Sequence, residues 1–338
     1  MLRGPFPMVP GALGLLWALL ALACGASGPQ GFATSTTDDA GSFVHDAGAP
    51  PPSLGDGSTP PPLGDDGGPG SGSNCAAGAA SFIYVATDTN DLYTFDPSKF
   101  PSPQAFTLVG PIPCDTSGVN SMAVDRAATA WVNFNDGQIY KVTTTAPVTC
   151  TPTGFVPGQG GFTKDLGMGF SVNAPGSNDE TLFVSDNAGP GGDCSGKTPG
   201  PSCTGKGLGT IDVATMTLTP LGAYTGMAAG YNAELTGTGD AKLYGFFTTS
   251  PGAYGAIDKG TGATSAPPPT SVPTVNASTG GYAFSFFGGD FYFYTAPKGN
   301  TVVTHLATAT GATTTSPQLG FTIVGAGVST CAPTTPAQ

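Results

Sequence analysis

Leu243-Tyr-Gly-Phe-Phe247, followed by Tyr254-Gly-Ala-Ile-Asp258 and the turn Lys259-Gly-Thr-Gly-Ala-Thr264, decides how this chain folds. A short apolar run, a small loop and a second run with apolar residues at alternate positions describe two adjacent β-strands. The pair recurs four more times. Phe82-Ile-Tyr-Val85 precedes Leu92-Tyr-Thr-Phe-Asp96, and Trp131-Val-Asn-Phe134 precedes Ile139-Tyr-Lys-Val-Thr143. Leu182-Phe-Val184 precedes Leu208-Gly-Thr-Ile-Asp212, and Phe291-Tyr-Phe-Tyr294 precedes Val303-Thr-His-Leu-Ala307. The first runs start at 82, 131, 182, 243 and 291, giving spacings of 49, 51, 61 and 48 residues.

Weaker strands flank each pair. Leu218-Thr-Pro-Leu-Gly222 and Leu319-Gly-Phe-Thr-Ile-Val324 follow two of them. Ser121-Met-Ala-Val124, Gly169-Phe-Ser-Val172 and Tyr282-Ala-Phe-Ser-Phe286 precede three aromatic runs. Four strands per repeat of about 50 residues is the pattern of a β-propeller, in which each blade buries its faces against its neighbours. A β-sandwich and an open solenoid are the competing architectures. The segment Ile257-Asp-Lys-Gly-Thr-Gly-Ala-Thr264 resembles repeats of extracytoplasmic propellers, a likeness that covers most of residues 80–330 and is specific to no function.

The register predicts how the ring closes. The first unit starts at its second strand and has no inner strand before it. Gly325-Ala-Gly-Val-Ser-Thr-Cys-Ala-Pro333 has the look of the missing one. The C-terminus then completes blade one, leaving five four-stranded blades closed by the C-terminal strand.

The composition fits this only after it is divided. The 338 residues include 53 Gly and 33 Pro, with 39% hydrophobic and 9% charged residues. A Pro plus Gly share of roughly a quarter borders on the low-complexity range, and the charged share is far below the ~25% of ordinary globular chains. Charged coiled coils and Lys/Arg-rich nucleic-acid binders are thereby excluded. Residues 25–74 hold the runs Pro50–Pro52 and Pro60–Pro62, six Asp, no Lys or Arg, and two aromatics, Phe32 and Phe43. Such a stretch buries too little apolar area to offset the entropy of ordering. It is expected to be a disordered tether spanning ~40 Å as a flexible coil. The expected organisation is a signal peptide over 1–23, the tether over 24–74 and the propeller domain over 75–338. The formal net charge of −12 disfavours nucleic acid as a partner.

The N-terminus sets the compartment. Arg3 precedes the apolar stretch Gly11–Ala23, which is short for a span of ~20 residues but suits a signal peptide. It ends in Ala21-Leu-Ala-Cys-Gly25, which resembles the lipobox of bacterial lipoproteins. The resemblance implies a lipidated Cys24 as the mature N-terminus and a membrane as partner through that anchor. Because Gly rather than Asp stands at position 25, it implies the outer membrane or cell surface. An ordinary signal peptide is the alternative reading.

Seven cysteines less Cys24 leave six, which suit an oxidising compartment and up to three disulfides among 15 formal pairings. Cys75 and Cys331 flank the closing seam, and Cys194 and Cys203 share one long loop. Cys114 and Cys150 pair by elimination.

The chemistry-bearing candidates are few. Asp125, Asp179 with Glu180, Asp240 and Asp290 recur between the first two strands of blades two to five, where a ring of carboxylates would attract Ca²⁺. Asp is also a favoured turn residue, because its side chain bonds its own backbone, and that reading is preferred here. No cofactor is expected. Glu234, one of two glutamates, with Asp240 nearby in sequence, is the pair to weigh for acid/base catalysis of the glycosidase kind. A solvated or backbone-capping Glu234 is the simpler reading. His45 falls in the tether, and His305 has no nucleophile at readable spacing. The loop Asp186–Lys206 is Gly-rich without a phosphate-binding pattern, and Asn276-Ala-Ser278 is a glycosylation sequon only in a eukaryote. The sequence-level expectation is a monomeric, lipid-anchored envelope module that binds a glycan or envelope protein without catalysis. A carbohydrate-active propeller enzyme is the alternative.

Overall fold

Nineteen short strands carry the described part of the chain, and every pairing between them is antiparallel. The computed structural model describes residues 74–114, 117–188, 205–265, 271–275 and 279–336. The signal peptide, the tether, Cys24, His45, the Cys194–Cys203 pairing and the Asn276 sequon lie outside the described residues.

Blade one contains β1 (Ile83–Thr87), β2 (Asp91–Phe95) and β3 (Phe106–Pro111). Blade two is β4 (Val119–Val124), β5 (Thr129–Phe134), β6 (Ile139–Thr143) and β7 (Cys150–Pro152). Blade three is β8 (Leu166–Val172), β9 (Glu180–Asp186), β10 (Leu208–Asp212) and β11 (Thr217–Gly222). Blade four has β12 (Ala233–Gly237), β13 (Leu243–Phe247) and β14 (Ala253–Ala256). Blade five is β15 (Thr279–Phe287), β16 (Asp290–Pro297), β17 (Val302–Ala307) and β18 (Ala312–Thr315). The last strand, β19 (Ile323–Gly327), returns to pair with β1 in the register Tyr84↔Gly327, Val85↔Ala326 and Ala86↔Gly325. The five-bladed propeller closed by its C-terminal strand is therefore the fold.

Burial explains the sequence pattern. The second strands are sandwiched between neighbouring blades on both faces, so β1 and β5 are buried almost throughout and read as continuous apolar runs. The outer strands β3 and β18 face water, and Ala312–Thr315 is exposed at every position. Between blades four and five, Phe246, Tyr254, Phe284, Phe291 and Phe293 form one aromatic layer. Inner strands β4, β8, β12, β15 and β19 lie side by side around the axis. Their backbones approach closely, which is why glycine is needed there. A Cβ on Gly167 or Gly237 would overlap the carbonyl oxygens of Ala233 and Phe170 in the next inner strand.

Two disulfides lock the ring, in keeping with an oxidising compartment. Cys75–Cys331 pins the seam with Cα atoms 5.9 Å apart, and Cys114–Cys150 joins the outer edges of blades one and two at 5.2 Å. Among the described residues, no helix is long and apolar enough to cross a membrane.

Two strand expectations need correction. The outer strand of blade five is Ala312–Thr315, whereas Leu319–Val324 leads into the closing inner strand. Leu319 is buried in the core shared with Ile323, so its apolar character serves packing there and not an outer strand. Among the described residues blade four has three strands, followed by the isolated bridges Ile257↔Thr264 and Gly252↔Val272.

Candidate functional site

The topology gives the propeller two chemically different faces. All inner strands begin at one end of the axis, here the front face, and finish at the back face. Loops between second and third strands return to the front, whereas turns joining inner to second strands lie at the back. The carboxylates weighed above that lie among the described residues can be placed on this frame.

Asp125, Asp179, Asp240 and Asp290 all fall on back-face turns, and three of their carboxylates are engaged locally. The Asp125 carboxylate accepts from Thr129 N at 2.8 Å and from Trp131 Nε1 at 2.9 Å. Asp240 accepts from the Thr238 hydroxyl and pairs with Lys242 Nζ at 2.7 Å, which holds its carboxyl below the usual range despite burial. Asp290 contacts His305 Nε2 at 2.9 Å and accepts from Thr308 N at 2.9 Å. Asp179 is exposed, and its backbone N–H donates to Ser177 Oγ at 3.0 Å. Asp125 and Asp240 make the self-bonding turns that Asp favours, whereas Asp290 ties its turn to the neighbouring third strand.

Glu180 sits apart from that set. It accepts from Arg126 N at 2.8 Å and from the Thr330 hydroxyl at 2.7 Å, tying blades two and three to the seam. Burial pushes its carboxyl up to about 6, and these two hydrogen bonds only partly oppose the rise. Arg126 completes the cluster, donating to Thr330 Oγ1 at 3.3 Å, Cys75 Sγ at 3.3 Å and Asn178 Oδ1 at 3.1 Å.

Glu234 lies at the opposite end of the axis from Asp240. It is the second residue of β12, and Asp240 follows the far end of the same strand. The acid/base pair weighed from sequence is therefore not assembled. Alternation along β12 sends Ala233 and Leu235 into the apolar core between blades. Glu234 and Thr236 share the other side of the strand. Glu234 is 2% exposed, and its Oε2 accepts from Ser121 Oγ at 2.7 Å, a bond running from blade four to blade two. Burial drives its carboxyl well above the usual range, with the Ser121 hydroxyl opposing.

A front-face cavity of about 310 Å³ opens on Glu234, and Asp88, Asn120, Asn135, Gly280 and Tyr282 are among its walls. Asp88 and Asn135 come from second-to-third-strand loops, and Asn120 and Gly280 from the starts of inner strands. Asn120 Nδ2 donates to Asn133 Oδ1 at 2.8 Å and to Leu166 O at 3.0 Å, leaving Oδ1 as its free side-chain group. The Tyr282 hydroxyl accepts from Asn232 Nδ2 at 3.1 Å. Burial first, then the nearby Glu234, Tyr224 and Asp165, push the Tyr282 phenol well up, so it stays neutral.

Sequence reasoning found Glu234 but not Ser121, Asn120, Asn135, Asp88 or Tyr282 as its neighbours. They come from blades one, two and five, and only the ring closure brings them together. One local signal was present, an acid inside the otherwise apolar strand Ala233-Glu-Leu-Thr-Gly237.

No protein-family model matches the chain, and no curated protein does. Solved structures do. A chain of the nidogen/laminin complex aligns at 10% identity and TM-score 0.44, covering 73% of this chain and 97% of that one. A Bacteroides thetaiotaomicron protein of unknown function aligns at 14% and 0.42, covering 70% and 57%. TolB from Acinetobacter baumannii aligns at 12% and 0.36, covering 69% and 51%. Likeness at this level concerns the fold and says nothing about function.

Proposed function

We propose that this chain is a lipid-anchored binding module of the bacterial cell envelope that takes a small polar ligand at the front mouth of its propeller channel. The carrying observation is the front-face cavity with a buried glutamate in its wall. Burying an ionisable group is costly, and a side chain with a single described hydrogen bond does not offset that cost by structure alone. A carboxyl perturbed by burial in the wall of a concave site is a candidate functional group on physical grounds. Binding is favoured over turnover because Glu234 and Asp240 occupy opposite mouths, and Asp125, Asp240 and Asp290 are engaged in hydrogen bonds or ion pairs of their own.

The location rests on three features. The lipobox-like Ala21-Leu-Ala-Cys-Gly25 would place lipid on Cys24. The Pro- and Gly-rich stretch 25–74 would hold the propeller away from an outer-membrane surface. The disulfides fit an extracytoplasmic setting. The module acts as a monomer on a glycan or envelope ligand, without nucleic acid or a resident cofactor.

A thermal-shift screen of glycans and small envelope metabolites against the intact chain and Asn135→Trp tests the site. The exposed Asn135 lies on the rim, so an indole there closes the mouth without touching the core. Ligands should raise the melting temperature of the first protein and not of the second. Equal shifts in both would place binding elsewhere. Radiolabelled palmitate should label the wild type and not Cys24→Ala, and an unlabelled wild type would overturn the anchor.

A further inference from the structure

The donor and acceptor inventory of the same cavity carries the reading further. Glu234 Oε1, Asn120 Oδ1 and the Asp88 carboxylate receive no hydrogen bond from the described residues. Both amide hydrogens of Asn120 are already spent on Asn133 and Leu166. Asn135 Nδ2 commits one of its hydrogens to Ser117 O at 2.9 Å, and the Tyr282 hydroxyl, which accepts from Asn232, keeps its own. Three acceptor groups thus stand open at this mouth, two of them carboxyls, beside a phenol and an amide as neutral donors, and the wall itself carries no Lys, Arg or His.

The surroundings reinforce this. Asp186, at the end of β9, and Asp165, at the start of blade three, add two acids near this end of the channel. Asp186 is saturated by Thr163 N at 2.9 Å, Thr163 Oγ1 at 2.7 Å and Lys206 N at 2.8 Å. Tyr224 and Tyr282 face Glu234 as neutral phenols. The base at this rim, Lys164, puts its Nζ on Asn135 O at 2.7 Å.

We infer, resting on the channel-mouth reading above, that the ligand is a hexose-sized molecule carrying an ammonium group, with Glu234 and Asp88 as its counter-charges and Asn120 Oδ1 as a third acceptor. An ammonium has three donors and no acceptor, which is the complement of this wall. A cavity of about 310 Å³ lies at the small end of ligand pockets and has room for a ligand of that size. A divalent cation is the weaker match, because Ca²⁺ takes 6–8 oxygens. Among the described residues, no group of three His, Cys, Asp or Glu side chains could hold a metal ion. Since burial holds the Glu234 carboxyl up, ammonium binding favours its ionised form and expels a proton. Affinity then rises with pH through the Glu234 titration.

The test is calorimetric titration of the intact chain with glucosamine, glucose and N-acetylglucosamine, matched in ring shape and differing in charge. Glucosamine should bind at least tenfold tighter than the neutral pair, with affinity increasing as pH rises toward the point, about pH 8, where the amine loses its own charge, and protons released to buffer below it. Glu234→Gln, nearly isosteric, should remove that tenfold advantage and flatten the pH slope. Asp88→Asn, exposed on the rim, should weaken glucosamine at least threefold without disturbing the fold. Equal binding of all three sugars, abolished by Asn135→Trp, would overturn the ammonium inference and leave the channel-mouth site standing. Calcium binding more tightly than glucosamine, with the same Glu234 dependence, would also overturn it. No binding by any of them, or binding untouched by Asn135→Trp, would sink both readings.

Discussion

Replacing Cys75 and Cys331 together by Ala tests the closure on which the architecture depends. The disulfide joins residues 256 apart, and β19, just before Cys331, completes blade one. On the chain-entropy model, a loop of that length restrains the unfolded chain by about 5–6 kcal/mol, against about 4 for the 36-residue separation of Cys114–Cys150. The seam bond should therefore matter more, although the two cross-links look alike locally. Opening it also releases the partner of Arg126, whose Nη2 reaches Cys75 Sγ at 3.3 Å. At roughly 2–4 °C per kcal/mol for a domain of this size, the double variant should melt some 10–20 °C below the parent. Guanidinium unfolding under oxidising conditions measures the free energy, and hydrogen exchange locates the loss. Protection should fall first at Ile323–Gly327 and the paired Tyr84–Ala86. A variant that unfolds with the parental midpoint, or loses less than the Cys114→Ala/Cys150→Ala variant, would refute the account of the seam as the point where the ring opens.

Four further outcomes follow from named contacts. Phe293→Ala removes a ring that is 0% exposed and lies 5.0 Å from Phe246 and 5.1 Å from Phe284, so about 3–5 kcal/mol should be lost in denaturant titration. Leu108→Ala, at 55% exposure, should stay within about 0.5 kcal/mol of the parent in the same assay. Asp125→Ala unbonds Thr129 N and Trp131 Nε1, which should destabilise by about 1–3 kcal/mol and alter Trp131 fluorescence. Glu180 has a folded value of about 6 against an ordinary 4.5, so the folded state binds its proton more tightly than the unfolded one. Its contribution is full below pH 4.5 and is lost as pH rises to about 6, on the order of 2 kcal/mol. Stability measured across that window should lose this slope in Glu180→Gln, and an unchanged slope would reject the assignment.

The blade plan was legible because a propeller writes its packing into local sequence. Strands buried on both sides must be apolar at every position, as in Phe291-Tyr-Phe-Tyr294, and outer strands are free of that demand. The closure could be read because Gly325-Ala-Gly-Val328 carries the small residues that an inner strand needs against its neighbour. Outer strands were read poorly for the converse reason. Ala312-Thr-Thr-Thr315 is exposed throughout and leaves no pattern, whereas the apolar Leu319–Val324 drew the assignment away from it. Among the described residues blade four shows only isolated bridges beyond its third strand, which the regularity of the repeat did not foretell.

The acids show where sequence reading meets its physical limit. An Asp at a turn is satisfied within a few residues, so its role can be read locally, as Asp125 with Thr129 and Asp240 with Lys242 demonstrate. An acid within a strand has no such local partner, because its neighbours in sequence point away or lie on the far side of the pleat. Glu234 finds Ser121 only across the axis, 113 residues away in the chain, and Asp88 and Tyr282 reach its cavity from two other blades. Proximity in sequence to Asp240 was misleading for the same reason. Six residues along an inner strand and its turn carry the chain from one mouth of the channel to the other. In a propeller, an acid in a turn therefore calls for a local explanation, and an acid in an inner strand calls for a ligand, a partner blade, or both.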